Sequence, residues 1–485
     1  MRIYAVPKTI FYNFNGGNML RRLATMVVVL VVVGGNVYAA AKWGGIARQI
    51  AMGGSNAGTN LVLNPFIMED PALVLLNPAY QAMYKDYAWM NIGGGTEYNT
   101  GGLLTDEGYG HQNAGLAFGF GRELAVGAIL SYDPSFINAV SGASIGGLSL
   151  IGLIAQRPTQ LIPPVANVWE VVGSYQVSGM AVGLGVMYGN SNSDGKFSTT
   201  TPAASGDAEA SASVIGFRAG VNADMGSGSS VDASAALRLD NVTDKITQSP
   251  TGPPTDGEYS ASGTELTFAV RAKFKASNRV NFVPYAFYAM LSAEPKEDVR
   301  PTGVTTNPPT VEVTASALAV GVGGEYRTAD FYLAGGLSFQ RATAELKVNV
   351  VSPAGTFDST TTVTYQAVPV FNIGGEWWLT DWLAGRAGYY RSLGSIKNEG
   401  SSTGGPGGNV SGETNLTIPN SFILIGGVNP LNHDGIVTLG LGFKFGNFSL
   451  DATVSEQALR RGLGLIGSSD NINTFGFMNA SYNFE

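Results

Sequence analysis

Side chains able to do chemistry are scarce in this chain. Two histidines, His111 and His433, fall in stretches expected to be long polar loops, and no cysteine occurs among the 485 residues. Without cysteine there is no disulfide, no thiolate metal site and no lipid-modified cysteine anchor. No Gly-x-Ser-x-Gly motif stands out on a strand-to-helix turn, where an acyl-transfer nucleophile would sit. Asn190, Asn192, Asp194 and Gly195 imitate the first half of a calcium loop, but the twelfth position is Thr201, where a bidentate glutamate is needed. Gly93, Gly323 and Gly324 lie in strand-like stretches rather than before helices, so they do not read as phosphate cradles. The expectation is a protein that is not an enzyme, with no metal and no cofactor.

What the sequence does contain is alternation. Over residues 266–276, Leu266, Phe268, Val270, Ala272 and Phe274 share one face, and Thr267, Arg271, Lys273 and Lys275 share the other. That period of two belongs to a strand with an oily face and a charged face. Residues 231–240 and 437–445 repeat it. Many such strands joined alternately by short turns and long polar loops are the pattern of a transmembrane β-barrel.

Composition agrees with that pattern. There are 66 glycines, only 13% charged residues and a formal net charge of −8, which argues against a nucleic-acid partner. Arg21 and Arg22 precede a short apolar run over 23–33, then Gly34, Gly35 and small residues at Ala39 to Ala41. Residues 1–41 therefore read as a secretory signal, with translation starting at Met19 rather than Met1 because residues 1–18 resemble no n-region, and the apolar run is too short for a comfortable bilayer span. An exported chain without apolar helices but full of amphipathic strands belongs in the outer membrane of a diderm bacterium, among outer-membrane lipids.

Short connections are expected at Gly121 and Arg122, Ser178 and Gly179, 225–229, Ser277 and Asn278, Thr328 and Ala329, Thr380 and Asp381, and Gly446 and Asn447. Longer polar loops are expected over 96–111, 133–166, 191–209, 243–259, 293–310, 346–362, 394–434 and 456–472. Together these connect sixteen strands, with fourteen as the alternative. The fold class is all-β: a transmembrane antiparallel barrel over 87–485, preceded by an N-terminal segment, 42–86, without strand alternation. Trp377, Trp378, Trp382, Phe445 and Phe448 flank short turns and read as an interfacial aromatic girdle. In the last strand Met478, Ala480, Tyr482 and Phe484 share a face, resembling the signal read by the barrel-assembly machinery, with Glu485 as an extra residue.

The N-terminal segment carries Met52, Gly53 and Gly54, then Asp70, Pro71 and Ala72, then Asn77, Pro78 and Ala79 just before the first strand. Irregular backbone of this kind survives at membrane depth only inside protein. These residues resemble the FadL/TodX family of outer-membrane transporters for fatty acids and other hydrophobic molecules, and equally the related PorV barrels of type IX secretion. The first resemblance implies that the segment is a hatch plugging the lumen, with Asn77, Pro78 and Ala79 as the hatch triplet. It also implies a hydrophobic pocket and a lateral opening at a kinked strand. Tyr80 stands where that family usually has glycine, and sixteen strands depart from the family's fourteen.

Over 280–290 both faces are largely apolar, and Pro284 interrupts the run; Pro369 interrupts another strand. Proline cannot donate to a ladder, so each marks an edge, bulge or kink. Phe282, Tyr285 and Phe287 are the expected ligand-binding residues, and Pro284 and Pro369 the expected kinks. The leading reading is a plugged barrel passing hydrophobic molecules by diffusion. A PorV-like scaffold binding a protein partner is the second. A general porin, its lumen charged by Arg238, Arg271, Lys273, Lys275 and Arg386, is the third.

Overall fold

The computed structural model describes residues 44–54, 64–93, 113–131, 144–145, 148–149, 168–200, 203–249, 257–299, 310–352, 355–405, 408–419, 421–424, 427–430, 436–454 and 475–484. The expected signal, His111, His433 and Thr201 lie outside these residues. Sixteen antiparallel strands form one closed wall. They are β1 (Tyr87–Gly93), β2 (Asn113–Phe120), β3 (Leu124–Ser131), β4 (Val168–Val177), β5 (Met180–Thr200), β6 (Ala203–Gly226), β7 (Ser229–Ser249) and β8 (Gly257–Lys275). The remainder are β9 (Val280–Val299), β10 (Thr310–Arg327), β11 (Phe331–Ser352), β12 (Gly355–Trp378), β13 (Leu383–Gly405), β14 (Ile436–Phe445), β15 (Phe448–Val454) and β16 (Phe475–Asn483). Each pairs with its chain neighbour. The seam is β1 with β16, Tyr87 opposite Asn483 through Gly93 opposite Phe477, so the sixteen strands close on themselves.

The seven expected short turns all join consecutive strands at one end of the barrel. Gly121, Gly179 and Gly446 take φ of 70°, 84° and 60° there, where a side chain would be strained. At the other end the expectation of long loops is corrected over several stretches. β5 runs to Thr200 and β6 begins at Ala203, and the strands around 243–259, 293–310 and 346–362 also continue well into the stretches read as loops. Thr, Ser and Gly look loop-like singly, yet when two such runs face each other the ladder simply extends, as Lys347 opposite Thr360 and Glu345 opposite Thr362 illustrate. An additional strand, Gly408–Pro419, pairs with the far half of β13, and Ser421–Leu424 with Gly427–Pro430 makes a small hairpin.

The outward face carries the membrane signature. On β9, Val280, Phe282, Tyr288 and Met290 are exposed, and Glu294 and Lys296 follow on the same face. The apolar stretch 280–290 stands about 25–30 Å tall once tilted, the thickness of a hydrocarbon core. At the turn end Trp377, Trp382, Phe445, Phe448 and Phe484 are exposed, and Trp382 stacks with Phe443 and Phe445 at 6.3 and 6.1 Å.

Candidate functional site

The N-terminal segment lies against inward-facing side chains from strands around the wall. It folds as a short helix, α1 (Ile46–Ala51), and two 3-10 turns, Pro71–Leu75 and Pro78–Ala82. Both turns start the same way: Asp70 and Asn77 accept from the backbone N–H two residues on, at 2.8 and 2.9 Å, and proline follows, where no N–H is needed. The amide of Asn77 then donates to Val221 O and Ala233 O at 3.0 and 3.2 Å, tying the turn to β6 and β7. Gly220 on β6 leaves room for this approach, since a Cβ there would collide with Asn77 Oδ1.

Wall arginines hold the segment through a recurring arrangement. Each pairs with a carboxylate from another strand and turns a remaining N–H toward a segment carbonyl. Arg218 on β6 makes two hydrogen bonds to Glu170 on β4, at 2.6 and 2.7 Å, and donates to Val74 O and Leu75 O. Arg271 on β8 pairs with Asp232 on β7 at 3.0 Å and donates to Ile67 O at 3.0 Å. The Tyr80 hydroxyl donates to the same Asp232 at 2.8 Å. Arg386 on β13 reverses the scheme: it bridges Glu376 and Asp451 at 2.7 and 2.6 Å, and Glu376 receives Arg48 from α1 at 2.8 Å. Arg48 also reaches Asp70 at 2.8 Å and lies over the Tyr332 ring. All of these charges are buried, and each is paired, as buried charge requires.

Two carboxyls of the segment respond to this environment. Burial pushes the Asp70 carboxyl up to about 6 against the opposing pull of Arg48. Burial also raises Glu69, but Arg327 at 2.7 Å and Lys273 at 3.2 Å outweigh it and hold that carboxyl below its usual range.

Apolar contacts complete the seat. Met52, Phe66, Ile67 and Met68 pack with Val283, Tyr332 and Ala334, and Phe66 meets the Tyr285 ring edge-on at 5.5 Å. Farther toward the long-strand end, inward side chains of successive strands form a buried apolar belt that includes Val214, Val242, Ala261, Leu291, Val313 and Leu346. Between segment and belt, the inward positions Ala236, Phe287, Ala317, Ala319 and Ala342 are only half-buried. The four alanines leave space inside the wall beside Phe287, and on β7 and β8 that space is flanked by the paired Arg238 and Glu265.

The expected ligand residues divide between two faces. Tyr285 and Phe287 point inward, whereas Phe282 is on the outward face, 45% exposed beside Val280, and shares no space with them. Pro284 also faces outward. Opposite it the β8–β9 ladder is interrupted: pairs resume at Arg271 with Tyr285 and Phe274 with Phe282, with none between. At Pro369 the partners shift by one residue on both sides, between Ser338 and Gln340 on β11 and between Gly394 and Ser392 on β13, so residues 368–369 form a bulge. Ser144, flanked by Gly142 and Gly146 at nucleophile-motif spacing, lies in a two-residue strand, Ser144–Ile145, not at the head of a helix. The segment's ion pairs and the apolar belt went unread in the sequence, because they join single residues on strands far apart in the chain.

A closed wall with an apolar outer band and charge buried inside defines an outer-membrane type of β-barrel. No family model matches the chain, and no curated protein matches it in sequence. Among solved structures it is similar to the toluene transporter TodX of Pseudomonas putida, at 12% identity over 92% of this chain and 97% of that one, TM-score 0.34. The toluene transporter TbuX of Ralstonia pickettii gives 10% identity, 92% and 98% coverage and a TM-score of 0.33. The ferric yersiniabactin uptake receptor FyuA of Yersinia pestis gives 10%, 82%, 79% and 0.36. Likeness at this level carries no argument about a substrate.

Proposed function

We propose that this barrel lets hydrophobic molecules, long-chain fatty acids among them, cross the outer membrane by diffusion, with residues 42–86 as a plug. The observation that carries the reading is the half-buried apolar space between segment and belt, lined by Tyr285, Phe287, Ala317, Ala319 and Ala342. Such a space shelters an acyl or aryl group and repels ions. Asn77, Pro78 and Ala79 serve as the hatch triplet, seated by the amide of Asn77. The interrupted ladder at Pro284 and the bulge at Pro369 are the weak points through which the wall opens toward lipid. The terminal strand, ending in exposed Tyr482 and Phe484, presents the aromatic face for the assembly machinery.

The porin reading loses its support because the charges it needs are engaged. Arg271, Lys273 and Arg386 pair with Asp232, Glu69 and Glu376, and Arg238 with Glu265, while Lys275 is exposed at the turn end. The scaffold reading keeps one favourable observation: β5 to β13 rise well past the apolar band, and Gly408–Pro419 adds a strand there. A mass-spectrometric inventory of molecules retained after gentle purification tests the leading reading. Retained acyl or aryl compounds, lost in Phe287→Asp, support it. An empty barrel that co-purifies with secretion components and whose deletion leaves fatty-acid uptake unchanged overturns it in favour of the scaffold.

A further inference from the structure

On the outward wall two arginines stand at the border where the apolar surface gives way to polar side chains. Arg341 on β11 alternates with inward residues and lies on the same face as Leu337, which is 51% exposed. Arg391 on β13 lies between Tyr390 and Ser392, both buried, so it also points outward, next to Leu393 at 46% exposure. In register Arg341 is opposite Gln366 and Leu318, and Arg391 is opposite Phe371, itself opposite Leu337. The two therefore flank the bulge at residues 368–369, whose Val368 is 52% exposed. Strand geometry puts their Cα atoms about 15 Å apart.

Neither guanidinium has a hydrogen-bond or ion-pair partner among the described residues, unlike the outward Lys347 and Lys397, which pair with Glu345 and Glu399 at 2.8 Å. Their height is equally telling. Arg391 follows Trp382 of the turn-end girdle by nine residues along the strand, about 23 Å up the tilted wall, which is the far boundary of the hydrocarbon band. An unpaired cation facing lipid is unfavourable unless it reaches an anionic group. A planar guanidinium at that depth fits the phosphate of a lipid headgroup, bound bidentately.

We propose that Arg341 and Arg391, with Gln366 between them, form a docking place for phosphorylated lipid headgroups on the outer wall. Leu337, Val368, Phe371 and Leu393 lie alongside the acyl chains of the same lipid. This combination of apolar and cationic groups on one lipid-facing surface commits the site to a membrane lipid rather than a soluble anion. It does not depend on what the lumen carries.

The test uses the full chain in nanodiscs of neutral lipid doped with phosphatidic acid or with diacylglycerol of identical chains, read by native mass spectrometry. The wild-type barrel is expected to retain phosphatidic acid at least tenfold over diacylglycerol. R341Q/R391Q should lose that preference, and R341K/R391K should keep only part of it, since an ammonium supplies the charge without the bidentate fork, while all three show the heat-modifiable gel migration of a folded barrel. Equal retention of the two lipids by the wild type overturns the proposal. So does unchanged preference in R341Q/R391Q, or complete displacement of phosphatidic acid by millimolar inorganic phosphate. Should R341Q/R391Q not fold, the wild-type preference and the single variant R391Q decide the matter by the same criteria.

Discussion

Arg48 and Glu376, 328 positions apart in the chain, meet inside the barrel through two hydrogen bonds of 2.8 and 3.2 Å. One belongs to α1 and the other to β12, so this pair fastens the N-terminal segment to the wall. Arg386 and Asp70 extend the pair on either side and Asp451 follows Arg386, so five charges form one connected cluster.

Removing Arg48 should therefore free the segment. Arg48→Ala leaves Asp70 buried without its cation and is expected to weaken docking by about 3–5 kcal/mol, the usual effect of breaking a buried ion pair from one side. Hydrogen exchange over residues 44–54 should rise sharply while exchange in β9 to β12 stays unchanged. Equal protection in the variant would remove the anchoring role of the pair.

A second variant acts by volume instead of charge. Gly220→Leu places a side chain where Asn77 now sits, and β6 backbone cannot move without disturbing its ladders. The segment is expected to be displaced and the conductance of the reconstituted barrel to increase severalfold over that of the wild type. Conductance identical to wild type would show that the segment does not limit passage.

Docking should also depend on pH. The Asp70 carboxyl is pushed up to about 6 in the docked state by burial, above its ordinary value near 3.8. A raised value means that the docked state favours the protonated form. This contribution is complete below the ordinary value and is lost as pH rises through about 6. Protection of residues 64–76, corrected for intrinsic exchange, is expected to be greater at pH 5 than at pH 8, and Asp70→Asn should flatten the difference. A wild-type profile without any change across that interval would contradict the assignment.

The lumen reading makes a prediction about faces. Phe287→Ala and Tyr285→Ala alter inward positions and should lower uptake of a long-chain fatty acid severalfold. Phe282→Ala, on the outward face of the same strand, should leave uptake within twofold of wild type. Equal effects of all three would mean that the strand matters only for the stability of the wall.

The wall itself was legible in the sequence because each strand reports its own two faces. Leu266 and Phe268 against Thr267 and Arg271 need no partner to be read, and the seven turns punctuate such runs with Gly, Asn, Ser and Asp. The upper halves of the strands were not legible. Residues 356–362 are rich in Ser and Thr and show no alternation of apolar and polar side chains, so pairing with β11 and β13 is what makes them strand. The interior was legible in part. Single inward arginines were visible, but nothing local tells Arg218 that its carboxylate is Glu170, across β5, where Gly185 leaves the gap the pair occupies. Phe282 misled because both faces of its strand are apolar, one for lipid and one for the lumen.

The seam between β1 and β16 joins the two ends of the barrel, so the cylinder is open on one side until Tyr87 and Asn483 become neighbours. The segment immediately ahead of β1 has a fastening in that seam: Asn479 of β16 donates to Asn91 at 2.8 Å, and the same oxygen receives the backbone N–H of Ile46. Closure and seating thus meet at one amide, and a wall closed without its segment would leave that oxygen one donor short.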